Sequence, residues 1–401
     1  MTNKKSALTF AKIFFVKSLK AMKNIVGQTP RGKDFYPRDA VINRIYRRLD
    51  SGNHLYLSAP RRSGKTAIMR ALEDNPRETY IFIYLNVEDC SNPEDFFRLL
   101  AEELESSAAQ GRLAKLGEKA KNVFERFLEH IKKVKIAGFE IETAGAASRP
   151  SYAEVFEQLL RKIETDGETV VIMVDEFPVA VENIAKAKGN EEAVRFLHAN
   201  RAMRQRAGTG VRFVYTGSIG LPNVARKLDP APTINDLNIV EIPPLSPEEG
   251  VDMSKKIFAT YSIEVEEGVL HYMLDEIQWL MPFFIQLIIQ LLIDESESEN
   301  VPISTPMVEK VLLKAANHRN NVYFASYYDR LQKTLPEDEC VTAKAILAEI
   351  AEKGAAPRTA FMEDNAQIVL ETLEYDGYIH EQGELFRFNS PILRMWWKKN
   401  A

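Results

Sequence analysis

Residues 59–66, with the sequence APRRSGKT, decide the fold of this chain. An apolar run at 55–57 precedes them, and residues 67–72 favour a helix. A strand, a glycine-containing turn and a helix N-terminus are typical of a phosphate-binding loop, because the N–H groups and dipole at the helix start attract the anion. Lys65 would pair with the β- and γ-phosphates, and the Thr66 hydroxyl would ligate Mg²⁺. The predicted nucleotide-binding residues of this segment are Pro60, Arg61, Arg62, Ser63, Gly64, Lys65, Thr66 and Ala67.

A second motif lies about 110 residues further along the chain. The apolar run 169–174 predicts a strand buried on both faces of a parallel sheet, and it ends in Asp175 and Glu176. Asp175 would hold the Mg²⁺ shell, and Glu176 would polarise a water for attack on the γ-phosphate. A strand that simply ends in an acidic turn is the other interpretation, but the loop upstream favours the nucleotide site. Glu176 and Lys65 are therefore the predicted catalytic residues.

The composition is that of a soluble globular protein. The chain has 401 residues, enough for two or three domains, with 45% hydrophobic and 27% charged residues. A net charge of -5 gives no global attraction to nucleic acid. Cys90 and Cys340 lie far apart and without partners at metal-ligand spacing, so we expect small buried side chains in a reducing compartment.

Neither a membrane span nor a secretion signal is predicted. The longest apolar stretch, residues 279–293, contains Pro282, Gln286 and Gln290 and is shorter than the ~20 residues of a spanning helix. Lys12 and Lys17 interrupt the apolar part of the N-terminus, and no small-residue cleavage site follows. We expect a cytoplasmic protein.

The hydrophobic pattern predicts four segments. Residues 1–33 are basic, with no Asp or Glu, and form either a membrane-surface or partner-binding helix or a leader that packs on its own domain or frays. Residues 34–243 alternate strands and helices as an α/β sheet does. Residues 244–333 are all-helical and are interpreted as a lid. Residues 334–401 follow the order helix, helix, hairpin, which is the rhythm of a winged helix.

Several of these segments together resemble archaeal and bacterial ATPases at the border of the AAA+ and STAND groups. The opening Phe35-Tyr36-Pro37-Arg38-Asp39 is similar to their segment near the adenine, which implies that Arg38 contacts the nucleotide. The loop APRRSGKT is close to theirs, including Ala59 in place of the usual glycine. The resemblance implies a P-loop NTPase sheet of the ASCE type, with strand order 5-1-4-3-2, a lid that closes on nucleotide and a C-terminal winged helix.

The resemblance also implies further contacts. Thr216 and Ser218 correspond to a sensor of the γ-phosphate, or they are simple turn residues. Pro282 matches the Gly-x-Pro segment of the STAND lid, although Leu280 replaces the glycine, and the lack of a second-sensor arginine favours the STAND side. Arg226 is either an arginine finger or an exposed residue beside Lys227. Either of the two loop arginines could add positive potential near the phosphates or contact only solvent or the lid.

Charge decides how the predicted winged helix is interpreted. Residues 335–401 contain seven Lys or Arg and twelve Asp or Glu, and the presumed recognition helix carries Glu371 and Glu374 without a basic residue. Because phosphate neutralisation supplies most non-specific DNA affinity, this charge disfavours DNA and favours a docking module.

The leading functional prediction is a Mg²⁺-dependent ATP-hydrolysing switch, slow without an activator, whose lid closure is sensed by a protein partner or through self-association. The alternative is a DNA-associated ATPase resembling replication initiators or transposition regulators. A non-hydrolysing nucleotide scaffold is a third interpretation, against which Glu176 argues.

Overall fold

The computed structural model describes residues 21–115, 118, 121–123, 125–129, 152–162, 167–207, 210–228, 233–317, 321–362 and 365–400. The chain divides into two compact units. The sheet unit comprises Arg38–Ser58 and Lys65–Ile242. The helical unit contains, among described residues, 21–37, Ala59–Gly64 and 243–400. Loop 59–64 thus groups with the helical unit.

The sheet unit alternates strands and helices. Its strands are β1 (His54–Ser58), β2 (Tyr80–Asn86), β3 (Thr169–Asp175), β4 (Val211–Thr216) and β5 (Leu237–Glu241). Its helices are α1 (Asp39–Asp50), α2 (Lys65–Asp74), α3 (Pro93–Ala109), α4 (Tyr152–Lys162), α5 (Phe177–Lys188), α6 (Asn190–Arg206) and α7 (Leu221–Leu228). The strands that the sequence predicts at 55–58, 80–87, 169–174, 211–216 and 238–242 are all present within one residue at each end.

The five strands form one parallel sheet in the order β5-β1-β4-β3-β2. This confirms the order 5-1-4-3-2 that the resemblance implied, and the P-loop NTPase fold with it. The inner strands are buried along almost their whole length, as their continuous apolar runs require. Because parallel strands end at the same edge, Asp175 and Thr216 come to lie at one edge of the sheet.

The sequence also predicts a long insertion between the second and third strands, and its elements fall mainly outside the described residues. Of the predicted charged helix at 113–133, residues 118, 121–123 and 125–129 are helical. The predicted strand with Ile136, Phe139 and Ile141, and the small-residue linker at 143–149, lie outside the part of the chain that the structure describes.

His54, at the start of β1, is held as a neutral imidazole. Its Nδ1 accepts a hydrogen bond from the Phe213 backbone N–H at 3.0 Å, so Nε2 carries the proton and donates to the Arg204 carbonyl at 3.0 Å. Burial, and after it the charge of Arg204, lowers the pKa of His54 from 6.5 to about 4.

Stability should therefore fall in mild acid. The unfolded chain binds a proton at His54 below pH 6.5 while the folded chain does not, so the contribution is complete above that pH and is lost as the pH falls toward 4. We expect the free energy of unfolding to drop by about 2 kcal/mol between pH 7 and pH 5 from this residue. Urea unfolding at both pH values measures it: His54→Gln should flatten the difference, whereas His271→Gln, at an exposed histidine, should not. An equal drop in the free energy of unfolding between pH 7 and pH 5 in all three proteins would contradict the assignment of this effect to His54.

The helical unit is built mainly of helices. They are α8 (Pro247–Thr260), α9 (Glu267–Ile277), α10 (Pro282–Glu299), α11 (Thr305–Ala315), α12 (Asn321–Thr334), α13 (Glu337–Lys353), α14 (Ala366–Tyr375) and α15 (Pro391–Asn400). Its strands are β6 (Ala356–Pro357), β7 (Ile379–Gln382) and β8 (Leu385–Phe388), which form an antiparallel sheet in the order β6-β8-β7.

Local sequence signals explain several helix starts in this unit. Ser246 caps α8 by accepting from the Glu249 N–H at 3.2 Å, and the Glu249 carboxylate accepts from the Ser246 N–H at 2.8 Å. This is the capping box that the sequence Ser-Pro-Glu-Glu predicted. Pro282 occupies the first turn of α10, where its missing N–H costs nothing.

One hydrophobic core runs through the helical unit. It joins Met22 and Tyr36, the predicted lid from Leu245 onward, and the C-terminal block as far as Trp397. Helix α13, helix α14, the hairpin β7–β8 and helix α15 follow one another in the order expected of a winged helix. The winged-helix assignment and the four domain boundaries stay predictions.

Residues 21–36 pack on this unit. The Met22 N–H donates to the Lys256 carbonyl at 3.2 Å, and the Asn24 side chain donates to the Gln286 carbonyl at 2.9 Å. At least the described end of the basic N-terminal segment therefore lies against its own chain. Among the described residues, no helix combines the length and hydrophobicity that crossing a bilayer requires.

Candidate nucleotide site

Asp175, at the tip of β3, is the centre of the candidate metal site. It is 2% exposed. Its Oδ2 accepts a hydrogen bond from the Thr66 hydroxyl at 2.7 Å, and its Oδ1 accepts from the Glu176 N–H at 3.0 Å. The structure therefore brings together the two residues predicted to hold Mg²⁺, one from the start of α2 and one from the end of β3.

The donor set fits a hard divalent cation. Mg²⁺ prefers oxygen ligands, and both groups supply them. The Thr66 hydroxyl uses its proton toward Asp175, so its lone pairs remain for a cation. Lys65, in the first turn of the same helix, is 7% exposed. A buried ammonium at a helix N-terminus suits a polyanion such as a nucleotide phosphate.

Tyr84 is a residue of this site that the sequence did not reveal. It lies on β2, next to β3, and its hydroxyl donates to the same Asp175 Oδ2 at 2.9 Å. The Arg70 guanidinium stacks on its ring, 3.4 Å from the centroid. A tyrosine inside the otherwise apolar run of β2 was the available signal, because a buried hydroxyl needs a polar partner.

Glu176 adopts an unusual backbone conformation between β3 and α5. Its φ of 59° is left-handed, which costs energy for a residue with a side chain. Its Oε2 accepts from the Ser218 N–H at 2.7 Å. The carboxylate of the predicted base is thus tied to the segment after β4.

Gly217 makes this contact sterically feasible. A Cβ at this position would lie 2.5 Å from Cδ of Pro178, in the first turn of α5. Only a residue without a side chain lets the end of β4 approach that turn so closely. The glycine between the two predicted sensor residues therefore has a packing role.

The predicted sensors differ in their surroundings. The buried Thr216 hydroxyl donates to the Leu57 carbonyl at 3.0 Å, so its proton stabilises the pairing of β4 with β1. Ser218 contributes its backbone N–H to Glu176.

Arg226 lies exposed in the last turn of α7. Arg38 is buried just before α1, and Ala67 is buried in α2.

The loop 59–64 has the backbone of an anion-binding turn. Arg62 and Gly64 have φ values of 65° and 90°. Positive φ within a short loop turns N–H groups toward a common concavity, and at 90° it favours glycine. The Ser63 hydroxyl is buried and has no hydrogen-bond partner among the described residues. A polar atom left in this way fits a site that receives a polar ligand.

The side chains of this loop pack within the helical unit. The Arg62 guanidinium lies over the Phe283 ring, 4.0 Å from its centroid, and Nη2 is 3.5 Å from the Tyr323 carbonyl. Burial lowers the pKa of Arg62 from its ordinary value. Phe283, whose ring contacts Arg62, directly follows Pro282 of the predicted lid segment.

Three further contacts fix the loop in this unit. Nη1 of Arg61 lies 3.5 Å from the Ser326 carbonyl, and the Tyr327 hydroxyl lies 3.5 Å from the Arg61 carbonyl. At Gly377, with a φ of 79°, an added Cβ would lie 2.3 Å from Cβ of Pro60. Arg61 and Arg62 thus both contact the helical unit, and their predicted contribution of positive potential near the phosphates stays a prediction.

Comparisons with known proteins agree with this geometry. Residues 47–225 match the family model of an AAA domain. This part of the chain has the P-loop ATPase fold and is similar to an AAA domain. The AAA domain includes strands β1 to β4 and the residues Lys65, Thr66, Asp175 and Glu176.

The chain is similar to several solved structures. The Walker-type ATPase of Pyrococcus abyssi is similar with a TM-score of 0.63 and 15% identity, covering 94% of this chain and 99% of that chain. For the Aeropyrum pernix ORC2 protein in its ADPNP–ADP complexes, the TM-score is 0.49 and the identity 14%, covering 90% of this chain and 92% of that chain. For the Thermotoga maritima RuvB Holliday junction branch migration motor, the TM-score is 0.43 and the identity 13%, covering 90% of this chain and 95% of that chain. The first similarity shows a shared fold, and the other two scores support no conclusion. No curated protein sequence matches the chain.

Proposed function

We propose that the chain is a Mg²⁺-dependent ATP-binding and ATP-hydrolysing molecular switch of the AAA+/STAND type, whose lid closure is coupled to a protein partner. The AAA domain supports nucleotide hydrolysis. The observation that carries the switch is the packing of loop 59–64 within the helical unit. The segment predicted to bind phosphate is thereby held by residues of the predicted lid.

The residues divide the work of hydrolysis. Lys65 and the N–H groups at the start of α2 would bind the β- and γ-phosphates, and Thr66 and Asp175 would hold Mg²⁺. The cation, when bound, neutralises charge on the phosphates. Glu176 would accept a hydrogen bond from the attacking water. Since Ser218 already occupies one acceptor position of this carboxylate, we expect slow basal turnover.

The loop would couple the nucleotide to the helical unit. A conformational switch needs a ligand with different affinity for its two states. Phosphates entering loop 59–64 change the charge around Arg62, whose guanidinium rests on Phe283 and approaches the Tyr323 carbonyl. Nucleotide state would thereby alter the balance between loop-to-phosphate and loop-to-helix contacts. A partner bound to the helical unit would sense that balance.

A protein is the favoured partner. Helix α14, the presumed recognition helix, carries Glu371 and Glu374 and no basic residue. Phosphate backbones repel such a surface. The DNA-associated alternative is tested by measuring ATP hydrolysis with and without duplex DNA.

The test compares Mg-ATP hydrolysis by the wild-type chain, Lys65→Ala and the surface control Lys186→Ala, each with and without duplex DNA. Lys65→Ala should lower turnover about 100-fold or more, since it removes a group that binds transition-state charge. Hydrogen exchange on the same proteins, with ATP and then ADP, should show nucleotide-dependent protection around residues 283 and 323–327 in all but Lys65→Ala. Turnover that survives Lys65→Ala would refute the ATPase, and strong stimulation by DNA would replace the protein-coupled switch.

A further inference from the structure

We propose that Tyr84 is a positioning residue for the divalent cation, acting through the Asp175 carboxylate. The inference rests on the proposed Mg-ATP site and adds a residue that neither the motifs nor the family match indicates. It concerns the neighbouring strand β2, where no nucleotide-binding residue was predicted.

The geometry gives Asp175 two donors on one oxygen. The Thr66 and Tyr84 hydroxyls both donate to Oδ2, at 2.7 and 2.9 Å. The Glu176 N–H holds Oδ1 at 3.0 Å. Three hydrogen bonds from α2, β2 and the β3 tip fix the plane of the carboxylate. An aspartate that must present its remaining lone pairs to a cation benefits from such fixed orientation, because outer partners set the direction of metal ligands.

Tyr84 is itself held in place from the helix that carries Thr66. Arg70 follows Thr66 by four residues, so both lie on one face of α2. The Arg70 guanidinium covers the Tyr84 ring at 3.4 Å and is paired with Glu73 at 2.8 Å. Glu73 is also paired with Arg112. This chain of contacts pins the ring in place.

The hydroxyl is what distinguishes this position from ordinary core. Phe82 lies on the same face of β2, which shows that a phenyl ring suits this side of the strand. Tyr84 is buried, and its hydroxyl would be costly there without a partner.

A matched control exists on the same strand. Tyr80 faces the same side of β2, and its hydroxyl donates to Asp50 rather than to Asp175. Tyr80→Phe and Tyr84→Phe therefore remove the same atom from the same strand at different distances from the site. A general cost of losing a buried hydroxyl would be shared by both variants.

The experiment titrates Mn²⁺ by the loss of its free EPR signal in the presence of ADP, and separately titrates a fluorescent ADP in EDTA. Tyr84→Phe should weaken Mn²⁺ binding about 10-fold. Its metal-free nucleotide affinity should stay at the wild-type value. Tyr80→Phe should change neither. In an Asp175→Asn background, Tyr84→Phe should add no further loss, because its effect passes through that carboxylate.

Three results would overturn the inference. They are wild-type Mn²⁺ affinity in Tyr84→Phe, an equal loss in Tyr80→Phe, and an additional loss in the Asp175→Asn background. Failure of the proposed function would give a different result. The wild-type chain would then show no nucleotide binding that Lys65→Ala abolishes.

Discussion

Glu176→Gln should leave ATP bound and lower its hydrolysis about 100-fold or more. A general base contributes about 10²–10⁴-fold, and an amide cannot take a proton from water. The substitution should preserve geometry. The glutamine carbonyl can accept the hydrogen bond that the Ser218 N–H now gives to Oε2 at 2.7 Å. Nucleotide affinity and single-turnover hydrolysis, measured on the same preparation, separate the two effects.

The control for this prediction is Glu182→Gln. Glu182 lies on α5, the helix that Glu176 precedes, and its carboxylate approaches Lys186 at 4.0 Å. Its replacement should leave turnover unchanged. If Glu176→Gln hydrolysed ATP at the wild-type rate, Glu176 would be removed from the mechanism. If it also lost ATP binding, its role would be structural.

Arg204→Met should destabilise the sheet unit by about 3 kcal/mol, because it removes a buried, hydrogen-bonded guanidinium and leaves the half-buried Asp236 carboxylate without its partner. The Arg204 side chain is 1% exposed. Its Nε and Nη2 donate to the two oxygens of Asp236 at 2.7 and 2.8 Å, and Nη2 also donates to the Thr233 carbonyl at 2.9 Å. The pair ties α6 to the segment that leads into β5. Urea denaturation at pH 7 measures the loss.

Arg195→Met on the same helix is the matched control. Arg195 pairs with Glu192 at 3.2 Å, but its side chain is 69% exposed. Exposed pairs contribute about 0–1 kcal/mol, so this variant should unfold nearly as the wild type does. A double change, Arg204→Met with Asp236→Leu, should recover part of the loss because no unpaired charge remains. Equal effects of the two arginine substitutions would contradict the burial argument.

The acid limb of stability follows from the same pair. Burial by itself raises the pKa of Asp236, but the hydrogen bonds and charge of Arg204 outweigh it and hold that pKa below the ordinary 3.8. The stabilisation is therefore complete above about pH 4 and is lost as the pH falls further. It does not overlap the effect of His54, which develops between pH 6.5 and 4.

The sequence patterns by themselves determined the five strands and named the central residues of the candidate site, whereas the order of the strands was implied only by the family resemblance. Continuous apolar runs require burial on both faces, so the five strands and their bounds followed from pattern alone. The GKT triplet after β1 and the Asp-Glu pair at the end of β3 could be placed at one edge, because parallel strands end together. The capping box before α8 is likewise a local signal, since its two hydrogen bonds join residues three apart.

Tertiary structure alone decided the contacts between distant segments. Tyr84 meets Asp175 across 91 residues because β2 and β3 are neighbours in the sheet. Arg62 meets Phe283 because the loop packs in the helical unit, which no local pattern encodes. Hydrophobic periodicity reports which face of an element is buried, whereas the partner on that face depends on how the chain folds back. The strands and the phosphate loop could therefore be predicted from sequence, while the groups that hold Asp175 and the loop arginines could not.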